Sequence, residues 1–219
     1  MSTGKFITFE GGEGTGKSTQ ARLLAQRLKE AGIDCVLTRE PGGSATAEKI
    51  RAFLLSGGAE PLGPKAEAVL FNVARDDHLE QVIRPALKSG KWVVCDRFAD
   101  STRAYQGAAG GVSPALLETL DRIIVGDTRP DLTFIMDLPA REGLRRAAGR
   151  EAAGKDAGER DYFESKDLDF HEALRQQFLE IARGEPERCV VIDAQLPPSA
   201  IEEEVWEAVV ERLGLEPKP

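Results

Sequence analysis

The sequence predicts an α/β fold, a parallel sheet of five strands covered by helices on both faces. Three observations predict it. Short apolar runs alternate with segments of helical period along the chain. Gly11-Gly12-Glu13-Gly14-Thr15-Gly16-Lys17-Ser18-Thr19 follows the first run and precedes the first helical segment, matching G-x-x-x-x-G-K-[ST]. The remaining candidate polar groups, Arg39-Glu40, Asp96 and Asp193, lie at the carboxyl ends of later runs, where ligands sit in such sheets.

Lys5 to Glu10 reads as the first strand, and Gln20 to Gly32 as a helix. Ala21, Leu24, Ala25 and Leu28 share one face of that helix, and Gly32 is its stop. Ile33 to Thr38 is the second strand. Ala45 to Ser56 is a helix carrying Glu48 and Arg51. A Gly/Pro-rich joint, 57–64, leads to a long helix over Lys65 to Lys88, which Pro85 should kink. Lys91 to Asp96 is the third strand, and a helix begins between Ser101 and Gly107. Gly110-Gly111 breaks the chain, and Ser113-Pro114 starts the next helix with Ser113 as N-cap. Leu132 to Asp137 is the fourth strand, and Pro139 opens a helix to about Ala148. Between Gly149 and Arg160 the apolar pattern stops. A long helix over Glu164 to Arg183 follows, then a fifth strand at Cys189 to Asp193. The last helix, Ser199 to Leu213, starts with Ser199 and Glu202 as a capping box.

At 219 residues, with no linker that separates a second unit, the chain is expected to be one domain. The net charge of −8 disfavours a nucleic-acid partner, although a local arginine cluster can still attract a small anion. Cys35, Cys95 and Cys189 lack metal-ligand spacing and read as buried free thiols, which suits a cytoplasmic protein. No apolar run approaches the roughly 18 residues of a membrane span. The first strand follows the N-terminus directly and leaves no room for a signal peptide.

The glycine-rich loop accounts for a nucleoside triphosphate. Its glycines allow backbone N–H groups to face phosphate, with the following helix adding its positive end. Lys17 is expected to reach the β- and γ-phosphates and Ser18 to bind Mg²⁺. Asp96, an acid ending an apolar strand, suits the same metal shell, and Arg97 beside it suits bidentate phosphate binding. Phe71 and Arg75 stand four apart on one helical face and could stack on a base and bond its edge. By themselves they read better as a core aromatic beside a surface arginine. The Arg/Gly segment from Arg145 to Arg160 suits a mobile lid that closes over phosphates. His78 and His171 stand alone and read as structural.

At these residues the chain resembles the thymidylate kinases, P-loop kinases of nucleoside monophosphates. The resemblance rests on Phe9-Glu10-Gly11 leading into the P-loop and on Thr38-Arg39-Glu40-Pro41-Gly42-Gly43. It continues through Asp96-Arg97 with Ser101 and Ala104-Tyr105-Gln106-Gly107, then Arg129-Pro130-Asp131-Leu132-Thr133. It implies the three-layer P-loop NTPase fold, with a lid at about 145–162, and transfer of the ATP γ-phosphoryl group to dTMP with Mg²⁺. It also implies a homodimer formed through helix faces. By that resemblance Arg75 and Gln106 bond the thymine edge, Phe71 stacks on the ring, and Ser101 and Thr102 lie close to the base. Arg51 and Arg97 hold the acceptor phosphate, Glu13 reaches the sugar 3′-hydroxyl, and Tyr105 packs against the deoxyribose. Ala194 and Gln195 lie near adenine. An acid at position 13 with arginines in the lid resembles the bacterial form. Arg150 is then the foremost lid arginine, with Arg146 and Arg160 behind it. Tyr162 stands where the family often has arginine, so which lid arginine acts stays open.

A kinase for another monophosphate on the same fold is the nearest alternative. A regulatory GTPase is disfavoured because no Asn-Lys-x-Asp tetrapeptide occurs, and a DNA-binding ATPase by the acidic balance.

Overall fold

The computed structural model describes residues 4–152 and 162–215. β1 (Phe6–Glu10), β2 (Cys35–Arg39), β3 (Trp92–Asp96), β4 (Leu132–Asp137) and β5 (Cys189–Asp193) form one sheet in the order β2-β3-β1-β4-β5. Every pairing is parallel. The expected five-stranded parallel sheet is therefore present, with β1 at its centre.

Strand periodicity divides the core. Ile7, Phe9, Leu132, Phe134 and Met136 face a cluster built with α1 (Lys17–Glu30) and α9 (Pro198–Leu213). The alternate residues face the other layer. There Phe6, Val93 and Cys95 pack with Leu79, Ile83 and Phe98, while Ile135 packs with Leu174 and Phe178 of α8 (Leu168–Gly184). Thr8 and Thr133 share a buried hydrogen bond of 2.8 Å between paired strands. Glu10 lies on the same face as Phe6 and Thr8, wholly buried.

α2 (Ala45–Leu55) is capped by the Ser44 side chain. α3 (Pro64–His78) passes through a π-helical turn, Leu79–Ile83, into α4 (Arg84–Lys88). The expected kink at Pro85 is thus taken up by the wider turn before it, as the proline has no N–H to donate. α5 (Ala99–Thr102) continues into a second π-helical stretch, Arg103–Ala109. That widening lets three consecutive side chains, Ala104, Tyr105 and Gln106, be buried together.

Some expectations are corrected. α1 starts at Lys17 rather than Gln20, directly out of the loop. Ser113 precedes α6 (Pro114–Ile124) but its side chain makes no capping hydrogen bond. α9 begins at Pro198 with Pro197 at the cap position, so Ser199 and Glu202 form no capping box. α7 (Ala140–Ala152) runs past the expected end at Ala148. The segment before α8 is a short 3₁₀ turn, Tyr162–Ser165, and Asp167 caps α8 instead. Among the described residues no helix is long and apolar enough to cross a membrane.

Candidate active site

The loop between β1 and α1 is held by close backbone contacts. A Cβ on Gly14, whose φ is +67°, would meet the Gly143 carbonyl oxygen at 2.0 Å. A Cβ on Gly143 would meet the Glu13 carbonyl oxygen at 2.3 Å. The loop therefore rests directly on α7, and glycine is needed on both sides. Gly16 begins α1 without a side-chain cap, and no acid stands in its first turn. The first residue is instead a cation, Lys17. Free N–H groups and a lysine at a positive helix end are poorly matched unless an anion joins them.

Lys17 is 6% exposed and its Nζ donates to the Gly12 carbonyl at 2.5 Å and to Thr15 Oγ1 at 3.3 Å. Burial pushes its pKa down to about 8, and Arg97 adds to the fall against Glu13, Asp96 and Glu10. Ser18 Oγ, in the first turn of α1, donates to Asp96 Oδ2 at the end of β3. Asp96 Oδ1 is buried with no hydrogen-bond partner among the described residues. The two expected metal ligands thus stand side by side, with one acceptor atom unused.

Arg97 is the one non-glycine residue among those described with a left-handed backbone, φ 69°. Its N–H bonds the Phe9 carbonyl, which carries its side chain back over the loop. Nη1 donates to the Gly11 carbonyl at 3.1 Å and to Ser101 Oγ at 3.3 Å, and Nη2 donates to Glu13 Oε1 at 2.8 Å. The Tyr105 hydroxyl donates to the same Glu13 oxygen, and the guanidinium carbon lies 5.0 Å over the Tyr105 ring. Burial opposes ionisation of Glu13, but Arg97, Lys17 and Tyr105 outweigh it and hold its carboxyl at about 2.

Beside these groups opens a cleft of about 490 Å³. Glu13, Arg51, Phe71, Arg75, Arg97, Ser101, Thr102, Tyr105 and Gln106 all line it. Every residue expected around the acceptor nucleotide is therefore on one wall or another of a single cleft. Arg51 Nη1 donates to the Pro41 carbonyl at 2.8 Å. Gln106 is buried with its amide 3.4 Å from Glu67.

Arg75 is not the surface arginine that its neighbours in sequence allowed. It is 2% exposed. Nε bonds Glu40 Oε2 at 2.8 Å, Nη1 bonds Asn72, and Nη2 bonds the Phe98 carbonyl and Thr102 Oγ1. Glu40 also meets His78 Nδ1 at 3.1 Å, and His78 Nε2 meets Thr38 Oγ1 at 2.7 Å. His78 is structural, as expected. His171 is buried beside Gly12, Glu13 and Thr15.

The sequence reading missed Pro41, Leu55, Phe98 and Phe163, which complete the cleft wall, and it did not place Glu40 there. Phe163 lies 5.6 Å from Tyr105 and 5.9 Å from Phe71. Its signal was an aromatic directly after the lid. Arg39, by contrast, pairs with Glu48, away from the cleft. Asp193 caps its own loop through Gln195 N.

Arg146 donates to the Ala194 carbonyl at 2.9 Å and to Glu142 at 3.0 Å, so these two expected donor-side residues are in contact. Arg145 pairs with Glu142 and is exposed. Arg150 lies in α7, but its side chain and the whole of Arg160 fall outside the described residues. The expected lid at 145–162 is thus described only at its two ends. Tyr162, where arginine was the familial expectation, packs its ring 5.1 Å from Phe163 under the Lys166 ammonium.

A phosphate loop joined by Glu13 and Arg97 to a second cleft defines a P-loop phosphotransferase with a separate acceptor site. The family model for thymidylate kinase matches residues 9–205. A thymidylate kinase of Bradyrhizobium diazoefficiens is 55% identical over 210 residues, covering 96% of this chain and 90% of that one. One from Rhodopseudomonas palustris is 55% identical over 215 residues, covering 98% and 91%. The crystal structure of thymidylate kinase from Ehrlichia chaffeensis superimposes with a TM-score of 0.74 at 35% identity, covering 94% of this chain and 99% of that one. The chain belongs to the thymidylate kinase family and is a kinase.

Proposed function

We infer that the chain, acting as one domain, transfers the γ-phosphoryl group of ATP to the phosphate of dTMP, giving dTDP and ADP. The observation that carries this reading is the Glu13–Arg97–Tyr105 cluster, which ties the phosphate loop to the acceptor cleft. On this reading the Gly11–Thr19 loop cradles the ATP phosphates with Lys17, and Ala194 borders adenine. Arg51 and Arg97 take the dTMP phosphate. Arg75 has four of its five N–H groups committed to protein acceptors, which leaves one Nη1 hydrogen for a thymine carbonyl. Phe71 stacks on the base, Gln106 bonds its edge, and Ser101 and Thr102 lie close to it. Tyr105 crowds the place of a ribose 2′-hydroxyl.

The acceptor is already an anion, so no strong general base is needed. Alignment and charge neutralisation by Lys17, Arg97 and the lid arginines, with Arg150 foremost and Arg160 and Arg146 behind it, would lower the barrier. Mg²⁺ fits the donor set: Ser18 and Asp96 offer hard oxygens, one of them without a partner. No group of three potential metal-ligating side chains occurs among the described residues, so phosphate oxygens and water would complete its shell. When bound, the ion neutralises charge on the β- and γ-phosphates.

A panel of dTMP, dUMP, CMP, AMP and GMP with ATP tests the function directly. dTMP is expected to give the highest kcat/KM, with activity lost in chelator and restored by Mg²⁺. Preference for another monophosphate would overturn the substrate, and metal-independent turnover would overturn the metal site.

The homodimer remains part of this reading. Val69 and Val73 of α3 are 43% and 48% exposed and stand one turn apart, and Ile123 of the neighbouring α6 is 69% exposed. Light scattering is expected to give twice the 23.8 kDa chain mass; a monomer at assay concentration would sink it. We place the protein in the cytoplasm, consistent with its three free cysteines.

A further inference from the structure

We propose that Glu10 is a positioning residue: it decides whether the Ser101 hydroxyl proton faces the sheet or the acceptor site. The inference rests on Arg97 and Ser101 serving the acceptor nucleotide.

Glu10 is the last residue of the central strand and is wholly buried. Its Oε1 accepts from the backbone N–H of Phe98 at 2.8 Å and of Ser101 at 3.2 Å. Its Oε2 lies 2.6 Å from Ser101 Oγ. Ser101 Oγ in turn receives Arg97 Nη1 at 3.3 Å. One carboxyl group therefore holds both the backbone turn after Arg97 and the hydroxyl that contacts the Arg97 side chain. None of this is needed to close the sheet, because a buried acid at a strand end is costly and an apolar residue would pack there.

A hydroxyl has one proton to give. With Glu10 ionised, Ser101 gives its proton to Oε2 and turns a lone pair toward Arg97. With Glu10 protonated, the proton sits on Oε2 and is donated to Ser101 Oγ. The Ser101 proton is then released toward another acceptor, while the second Ser101 lone pair still receives Arg97. Oε1 keeps its two backbone donors in both states. The protonated state thus offers the acceptor nucleotide one more donor.

Burial raises the Glu10 pKa to about 8, and Asp100 adds to the rise, against the Ser101 hydroxyl, Arg97 and the Phe98 N–H. Lys17 of α1 and Cys95 of β3 are the other titratable groups that face it. The two proton arrangements therefore exchange within the working range of an enzyme.

The test is the KM for dTMP at saturating ATP, from pH 7 to 9, above the second ionisation of the dTMP phosphate near pH 6. In the parent enzyme KM is expected to rise roughly 3- to 10-fold across that range, the worth of about one hydrogen bond. Glu10→Gln is isosteric with the protonated acid: its amide N–H donates to Ser101 and its oxygen accepts from the two backbone groups. It should keep KM at the low-pH value throughout. Ser101→Ala removes the relay and should give a pH-independent KM, raised at pH 7. Lys17 also titrates near 8, but Ser101→Ala leaves it in place, so a rise persisting in that variant would belong to Lys17 and overturn the proposal. A rise persisting in Glu10→Gln, or a parent KM flat above pH 7, would overturn it equally. A parent enzyme inactive on dTMP would instead overturn the reading of the acceptor site. If Glu10→Gln does not fold, the Ser101→Ala profile decides alone.

Discussion

Arg97→Ala is expected to lower kcat/KM for dTMP by roughly 10²- to 10³-fold while the KM for ATP changes far less. The size follows from two charge-assisted hydrogen bonds to a phosphate at about 1.5–3 kcal/mol each, less what water recovers. The site is arranged around this side chain. Its left-handed backbone is a strained state for a side chain of this size, held by the Phe9 carbonyl. Its guanidinium is stacked on Tyr105 and held by Glu13, so little rotamer entropy remains to be lost on binding. Arg97→Lys should recover only part of the loss, since an ammonium has no planar fork to match both Glu13 and a phosphate. Steady-state kinetics with both nucleotides varied provide the check. Near-normal kcat/KM for dTMP in Arg97→Ala would remove Arg97 from the acceptor site and return it to a purely structural place.

The second large effect is on stability. Arg75→Ala should destabilise the fold by about 3–5 kcal/mol, the usual cost of breaking a buried pair from one side. For a chain of this length that corresponds to a fall in Tm of roughly 10 °C. Arg75 and Glu40 are 2% and 4% exposed, and His78 is fully buried on the other Glu40 oxygen. Removing the guanidinium leaves the Glu40 carboxylate without its main counter-charge. It also leaves Asn72, Phe98 and Thr102 acceptors without their donor. Pairing Arg75→Met with Glu40→Gln should restore much of the Tm, because no charge is then left unpaired, yet dTMP binding should stay impaired. Thermal unfolding followed by circular dichroism reads the first part and the dTMP KM the second. A Tm for Arg75→Ala within a degree or two of the parent would show that the pair does not support the fold.

This pair also marks where sequence reading reached and where it stopped. Phe71 and Arg75 at four-residue spacing were legible as a face, but spacing alone could not say whether the arginine was exposed. Burial depended on Glu40, 35 residues earlier, arriving from another strand end. Tyr105 and Gln106 were legible as a motif, yet their joint burial required a π-helical stretch that no 3.6-residue pattern encodes. The expected caps at Ser113 and Ser199 did not form. A proline at the first turn of each helix already supplies the fixed φ and removes one of the orphan donors a cap would satisfy.

By itself the sequence determined the alternation of strands and helices and the phosphate loop. Those features are local: they depend on period, glycine placement and residue type within short windows. Only the tertiary structure decided that β1 lies at the centre of the sheet between β3 and β4. That order sets Asp96 beside Ser18 and Arg97 beside Glu13, although each pair is separated by about 80 residues. It also placed Gly143 under the loop, Phe163 in the cleft wall and Glu10 beneath Ser101. The physical reason is the same in each case. A contact between distant segments is fixed by packing and by the pairing of buried polar groups, and a residue pattern within one segment carries no record of what the other segment will bring.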